Sequence, residues 1–255
     1  MRYYRARVAR VAQLSPTMRR VTFTSPELTR LPFAGADQRV KLLLPLPGQD
    51  RPQIDGLDTI WDLLALPREI APIMRTYTVR RHRRDLGEID VDFALHGDRG
   101  PASAWAIRAT AGQHVALFGP AALYAPKPTV EWQLLLGDET ALPAIGAIVE
   151  MLTPRDRARV LIEVPDPRDV QQFSSCAQLD VTWLCRGSAA AAASTALLDA
   201  VRALELPAVP SYFWLSGESS IVTAIRRHLV RERDVPREGI TFTGYWKQGC
   251  AESQR

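Results

Sequence analysis

The sequence predicts a β + α/β protein: an antiparallel β-barrel followed by a parallel α/β domain. Three observations carry this. Through about residue 120, short alternating stretches bounded by Gly, Pro and Ser recur with little helix between them. Beyond residue 130, apolar strand-like runs alternate with helix-like ones. Between the two lies Ala125-Pro126-Lys127-Pro128-Thr129, which has the composition of a linker. The expected domains are therefore 1–125 and 130–255, and 255 residues suffice for two ordinary cores.

In chain order, the first alternating stretches are Ala6 to Val11 and Met18 to Thr24, separated by the turn signal Ser15-Pro16-Thr17. Arg39 to Leu44 is a third, stopped by Pro45 and Pro47. Residues 46–72 form a Pro-, Gly- and Asp-rich excursion with a short helix at Thr59 to Leu64; excursions of this length are more often functional than accidental. Met74 to Arg80 is rich in Thr, Tyr and Val and carries Arg75, Tyr77 and Thr78. Gly87 to His96 and Gln113 to Pro120 complete a count of about six strands, the size of a small barrel. In the second half, strands are predicted at Trp132 to Leu136, Arg159 to Val164, Val181 to Cys185, Tyr212 to Ser216 and Ile240 to Tyr245. Helices are predicted at Ala141 to Leu152, Ala189 to Leu204 and Ser219 to Arg231, which makes this a parallel, Rossmann-like sheet with right-handed crossovers.

Composition narrows the function classes. No run of about 18 apolar residues is present, so no membrane-spanning helix is expected. Met1-Arg2-Tyr3-Tyr4-Arg5 lacks the apolar centre of a signal peptide, which predicts the cytoplasm. Cys176, Cys185 and Cys250, with His82, His96, His114 and His228, fall into no zinc, iron–sulfur or disulfide spacing; no protein-bound metal is expected. A net charge of +4 is too mild to imply nucleic acid, and no motif for it is present. The tightest basic run, Arg80-Arg81-His82-Arg83-Arg84, is expected to be a solvated turn, with attraction of an anionic ligand as its functional alternative.

Four stretches can carry chemistry. A strand bearing a guanidinium, an aromatic ring and a hydroxyl, as Arg75-Thr76-Tyr77-Thr78 does, can pair with a phosphate and pack on an apolar cofactor. Gly100-Pro101-Ala102-Ser103 opens a helix, where free amides and the helix dipole suit a pyrophosphate and Ser103 can add a hydroxyl; a plain capped helix fits the tetrapeptide equally well. Gly137-Asp138-Glu139-Thr140 and Ser216-Gly217-Glu218-Ser219 follow the first and fourth strands of the second half, the edge where such sheets bind ligands.

Together these motifs resemble the siderophore-interacting protein family: Arg-x-Tyr-Thr, then His-Gly-x-x-Gly-Pro-Ala-Ser-x-Trp from His96 to Trp105. Gly-Asp-Glu-Thr-Ala-Leu-Pro-Ala-Ile from Gly137 and a late Tyr-Trp-x-x-Gly from Tyr245 follow in family order. Residues 46–72 are longer and richer in Pro and Asp than the family pattern. The resemblance implies a ferredoxin–NADP reductase-like fold, with FAD on the barrel and NADPH or NADH at the α/β domain. The implied reaction is hydride transfer to FAD, then single electrons to the Fe(III) of a ferric siderophore. It implies that Arg75, Tyr77 and Thr78 hold the flavin and that Gly100, Pro101, Ala102 and Ser103 cradle its pyrophosphate. His96 and Trp105 would support that loop, and Asp138, Glu139 and Thr140 would lie on the nicotinamide side. Tyr245 and Trp246 would lie near the flavin, with Lys247 drawing in the anionic chelate and Arg80 to Arg84 weaker candidates for that task.

No side chain is expected to act as an acid–base catalyst, because the cofactor carries the chemistry. Glu163 and Asp166 near the end of the second strand would favour NADH, whereas Arg186 ending the third would favour NADPH by meeting its 2′-phosphate; the balance tips to NADPH. A general FAD-dependent NAD(P)H or ferredoxin reductase is the alternative enzyme, and a flavin- or siderophore-holding protein the alternative class. A monomer is expected, with ferredoxin as a further possible partner.

Overall fold

The computed structural model describes residues 2–97 and 100–250. One compact unit ends at Ala122 and a second begins at Leu123. The first is built from β1 (Arg2–Ser15), β2 (Met18–Thr24), β3 (Arg39–Leu44), α1 (Ile60–Leu64), β4 (Ile73–Thr78), β5 (Arg81–Arg83), β6 (Glu88–Ala94), α2 (Pro101–Arg108) and β7 (His114–Ala121). Its strands form one antiparallel sheet of order β4-β3-β7-β1-β2-β6-β5. β1 is used twice: its first half pairs with β7, from Arg2 opposite Gly119 to Arg7 opposite His114, and its second half pairs with β2.

The two ends of that strand order are neighbours in the chain. β4 and β5 are joined through Val79 and Arg80, whose amides donate to Gln38 O at 2.7 Å and Asp90 O at 2.9 Å. One continuous stretch thus pairs with β3 on one side and β6 on the other, and the sheet curls into a barrel along this seam. Alternation fills the interior with Tyr4, Val8, Val21, Phe23, Leu42, Val91 and Phe93, while α2 contributes Ala102 and Ala106.

One expectation changes here, and one segment gains a definite place. The basic run is not a solvated turn. Arg81–Arg83 is a strand paired with β6, and Arg83 donates to both oxygens of Asp90 (2.5 and 2.7 Å) and to Glu88 (2.9 Å). Arg80 is buried, and Arg84 donates to Leu31 O, so most of this run serves the barrel. The 46–72 excursion, for its part, packs down. Thr59 and Asp62 form a reciprocal capping box on α1, and Ile54 and Leu63 close over Leu43, Met74 and Ala116 on the outer face of the sheet. The Tyr3 hydroxyl donates to Thr59 O at 2.6 Å, and burial, helped by Asp62, pushes this phenol up to about 12.

The second unit holds β8 (Trp132–Asp138), α3 (Leu142–Met151), β9 (Arg157–Val164), β10 (Gln178–Cys185), α4 (Ala196–Ala203), β11 (Ser211–Glu218), α5 (Ser219–Glu232) and β12 (Ile240–Trp246). All five strands are parallel, in the order β10-β9-β8-β11-β12. The chain begins in the middle, builds outward on one side, then crosses to the other, so the order reverses between β8 and β11. The Ala-rich run does not make one helix over 189–204. Ser194 donates to Glu163 at 2.7 Å and accepts the Ala196 amide at 3.3 Å, a local turn that leaves a 3-10 turn at Ala191–Ala193 and starts α4 only at Ala196.

Candidate flavin and nucleotide sites

On the barrel, the seam strand β4 carries Arg75, Tyr77 and Thr78. Arg75 is half-buried and donates to Met74 O at 2.7 Å. The Tyr77 ring rests against Phe93, with centroids 4.3 Å apart, and Thr78 is buried. α2 packs on β2, β4 and β6. Trp105 on this helix lies between Phe23 and Phe93, at 6.1 and 5.8 Å, and anchors the helix to the core.

The start of α2 is open. Its N-cap is Gly100, Pro101 occupies the first turn, and no side chain among the described residues caps it. A Cβ on Gly100 would stand 2.6 Å from His96 Cε1, so the backbone passes close over the imidazole. Ser103 has its hydroxyl already engaged within the chain. It is buried, its hydroxyl donates to Gly97 O at 2.8 Å and accepts the His96 amide at 3.1 Å, and so it fixes the approach to the helix. Ala102 is buried in the core, so the polar groups that the first turn offers are its main-chain amides. An uncapped helix start, a glycine without space for a side chain, a guanidinium and an aromatic ring on one barrel fit a flavin carrying a pyrophosphate.

In the second unit, Asp138 ends β8 and Glu218 ends β11, on the two strands between which the order reverses. Asp138 is 3% exposed and accepts four hydrogen bonds. Thr140 supplies its amide (2.9 Å) and hydroxyl (2.5 Å) to one oxygen; the Glu218 amide and Trp246 Nε1, both at 2.8 Å, serve the other. Among the described residues, no cation pairs with it directly. Burial, with Glu139 adding, pushes its carboxyl up to about 6. Gly217 has φ +141°, and a Cβ there would stand 2.8 Å from the Asp138 carboxyl. Asp138 is therefore a buried tie between strands, as is Thr140 with it.

Arg186 is equally committed. Its side chain is 7% exposed, it forks onto Glu139 at 2.6 and 2.7 Å, and Glu163 lies 3.6 Å away. Burial opposes its charge, but Glu139 and Glu163 hold its pKa above the usual value. Its terminal nitrogens face carboxylates, so it does not by itself decide between NADPH and NADH. Glu163 is buried and pushed up by that burial, and Asp166 is paired with Arg168. Sequence reasoning missed Glu218 as a capping residue. Its carboxylate accepts the amides of Ser220 and Ile221 at the start of α5; an acid directly before Ser-Ser and an apolar helical run was the available signal.

Tyr245 and Trp246 end β12, and Tyr245 meets Trp214 edge-on at 6.3 Å. Lys247 is exposed in a turn closed by a bridge to Cys250. A depression of about 570 Å³ lies at the opposite, amino edge of the sheet, lined by Trp132, Arg157 and Asp180. It is the wrong edge for a ligand of this fold and holds no expected site residue.

A barrel suited to a flavin, followed by a parallel sheet with a nucleotide-type switch point, defines the flavin-dependent pyridine-nucleotide reductase class. Within that class, the model of the siderophore-interacting FAD-binding domain matches residues 7–124 and that of siderophore-interacting proteins matches 130–249. The chain belongs to the siderophore-interacting protein family. It is 32% identical to the ferric vibriobactin reductase ViuB of Vibrio cholerae, over 94% of this chain and 87% of that one. The siderophore-interacting protein SipS of Aeromonas hydrophila superposes with a TM-score of 0.82 at 36% identity, covering 98% of this chain and 94% of the other. A siderophore utilization protein from T. fusca gives 0.85 at 27% identity, with 98% and 95% covered.

Proposed function

We propose that this protein is an NAD(P)H-dependent, FAD-containing ferric-siderophore reductase that releases iron as Fe(II). The observation that carries this is the uncapped start of α2 on the barrel whose closing strand bears Arg75 and Tyr77. Those groups would hold the pyrophosphate and the ring system of FAD, with His96 and Trp105 setting the loop and helix behind them. FAD supplies the conversion between a two-electron donor and a one-electron acceptor.

The chain's own residues bind and orient. The main chain at Gly100, Pro101 and Ala102 offers its positive helix end to phosphate. The β8 and β11 loops form the nicotinamide side, with Asp138, Glu139, Thr140 and Arg186 shaping it from within. We assign Tyr245 and Trp246 to the flavin and Lys247 to the anionic ferric chelate, drawn by charge. The donor is NADPH or NADH, with ferredoxin as a further candidate, and the protein works as a cytoplasmic monomer. Three exposed cysteines without a disulfide suit a reducing compartment, and no helix among the described residues is long and apolar enough to cross a membrane.

The test is spectroscopic. The purified protein should be yellow, bleach anaerobically with NADPH or NADH, and regain colour with a ferric siderophore while an Fe(II) trap reports product. A colourless protein that takes up no FAD sinks the proposal. Bleaching without reoxidation by any ferric siderophore points instead to a general reductase with another one-electron acceptor.

A further inference from the structure

The carboxyl edge of the parallel sheet contains a bonding pattern that neither cofactor requires. Asp138 and Glu218 end β8 and β11, yet between them they hold a segment more than a hundred residues downstream of the first. One Asp138 oxygen takes both the Glu218 amide and Trp246 Nε1, at 2.8 Å each. One Glu218 oxygen takes the Gln248 amide at 3.2 Å. The other is bonded to the Ser220 amide (2.6 Å), the Ser220 hydroxyl and the Ile221 amide (3.2 Å), which fixes the carboxylate to the start of α5. Ser219 donates to Trp246 O at 2.8 Å. The residues on both sides of Lys247 are thus tied down. The turn beyond is closed by Cys250 N donating to Lys247 O at 3.1 Å, with Gly249 at φ +77°.

We propose that Asp138 and Glu218 are positioning residues for the acceptor, forming a latch that fixes Trp246 and the Lys247 turn on the edge of the sheet. The inference rests on the assignment of Lys247 to the anionic chelate. An exposed lysine on a loose terminus offers charge without direction, because its long side chain and mobile backbone must both be ordered when ligand binds. Anchoring the backbone at Trp246 and Gln248 leaves only the side chain to be ordered. The anchors are acids that accept from amides, a hydroxyl and an indole, so they engage no cation of the described residues in holding the turn. The loop at Asp138 to Thr140 and the turn at Lys247 share one carboxylate, so a disturbance at Asp138 reaches both.

Three variants test this: Trp246→Phe, which removes the indole bond while keeping the carboxylate, Asp138→Asn, which leaves a single acceptor oxygen for the four donors, and Ser219→Ala as the mildest. Amide exchange at Gln248 and tryptic cleavage after Lys247 report the latch without any ligand. KM and kcat are measured with an anionic ferric tris-catecholate and a neutral ferric trihydroxamate. Loss of one bond of ordinary net worth should speed exchange and cleavage about five- to tenfold in Asp138→Asn and Trp246→Phe, and less in Ser219→Ala. KM for the anionic chelate should rise by a similar factor, with the neutral chelate less affected; in Ser219→Ala, assigned to neither cofactor, kcat and FAD content should be little changed. Unchanged exchange and cleavage in both stronger variants overturns the latch. Faster exchange with an unchanged KM for the anionic chelate overturns its positioning role. A wild-type protein that reduces no ferric chelate overturns the proposed function instead, and the exchange rates then decide the latch alone.

Discussion

Asp90 in the barrel and Asp138 in the α/β unit are buried to the same extent, each 3% exposed, yet their acidities move in opposite directions. Burial would push both up. At Asp90 it is overcome: Arg83 forks onto the carboxylate, Thr22 donates at 2.7 Å and Arg20 stands at 4.0 Å, and the carboxyl falls below its usual value. At Asp138 the donors are amides, a hydroxyl and an indole, the neighbouring charge is Glu139, and the carboxyl rises to about 6. At Asp90 the arginines and Thr22 together outweigh burial; at Asp138 burial, with Glu139, wins. The barrel brings arginines from adjacent antiparallel strands to its acids, whereas at the parallel edge the acids outnumber the arginines.

Arg83→Ala should make Asp90 resemble Asp138. It strips the main cation from a buried carboxylate and one of two from Glu88, which keeps Arg10, and we expect about 3 kcal/mol lost in urea unfolding at pH 7. A loss under about 1 kcal/mol would mean that Arg20 and Thr22 suffice.

Opposite pH dependences follow next. Asp138 has its folded pKa raised, so the folded state binds more protons than the unfolded one between about pH 4 and 6, and its contribution to stability falls as pH rises through that window. Asp90 has its folded pKa lowered, so its contribution is present above its unfolded pKa near 4 and disappears as pH falls through the folded value. Asp138→Asn should therefore remove a destabilising trend on the order of 2 kcal/mol between pH 4 and 7, read from urea midpoints. An identical slope in the variant and the wild type would contradict the assignment of that trend to Asp138.

The two helix starts sharpen the same contrast. α5 is closed by its own Glu218 and α2 by no side chain among the described residues. Pro101→Glu would place an acid in the first turn of α2, and FAD affinity should drop about tenfold, roughly 1.4 kcal/mol, with the melting temperature of the apoprotein maintained. Flavin fluorescence titration reads this directly, and an unchanged affinity would move the pyrophosphate elsewhere. Smallest of all, Thr59→Ala should cost about 1 kcal/mol through loss of the α1 capping box; differential scanning calorimetry showing no shift would mean that α1 is held by its apolar contacts alone.

Much of the architecture could be read from periodicity, because the governing contacts repeat along the strand. Met18–Thr24 and Arg39–Leu44 alternate as strands and form them, and the strand–helix alternation after residue 130 foretold the parallel sheet. What could not be read depended on partners distant in sequence. Arg81–Arg83 looks like a turn until Glu88 and Asp90 neutralise it across a strand pair. Arg186 looks like a free cation, and its partner Glu139 is 47 residues away. The hydroxyl of Ser103 was legible but its use was not, since Gly97 and His96 claim it only once the loop has turned.

The barrel also orders events in time as the chain is made. The first half of β1, Arg2 to Arg7, has its partners at His114 to Gly119, so the leading strand of this unit waits for its last strand. β2 and β6 can pair meanwhile, and the stretch from Ile73 to Arg83 can join β3 and β6, but the sheet has no place for the N-terminal residues until β7 emerges. A nascent chain stalled before His114 should therefore be cut by protease between Arg2 and Arg7, and one stalled well beyond Ala121 should resist. Within this unit, the leading half of the first strand is among the last segments to gain a partner, although its trailing half can pair with β2 at once.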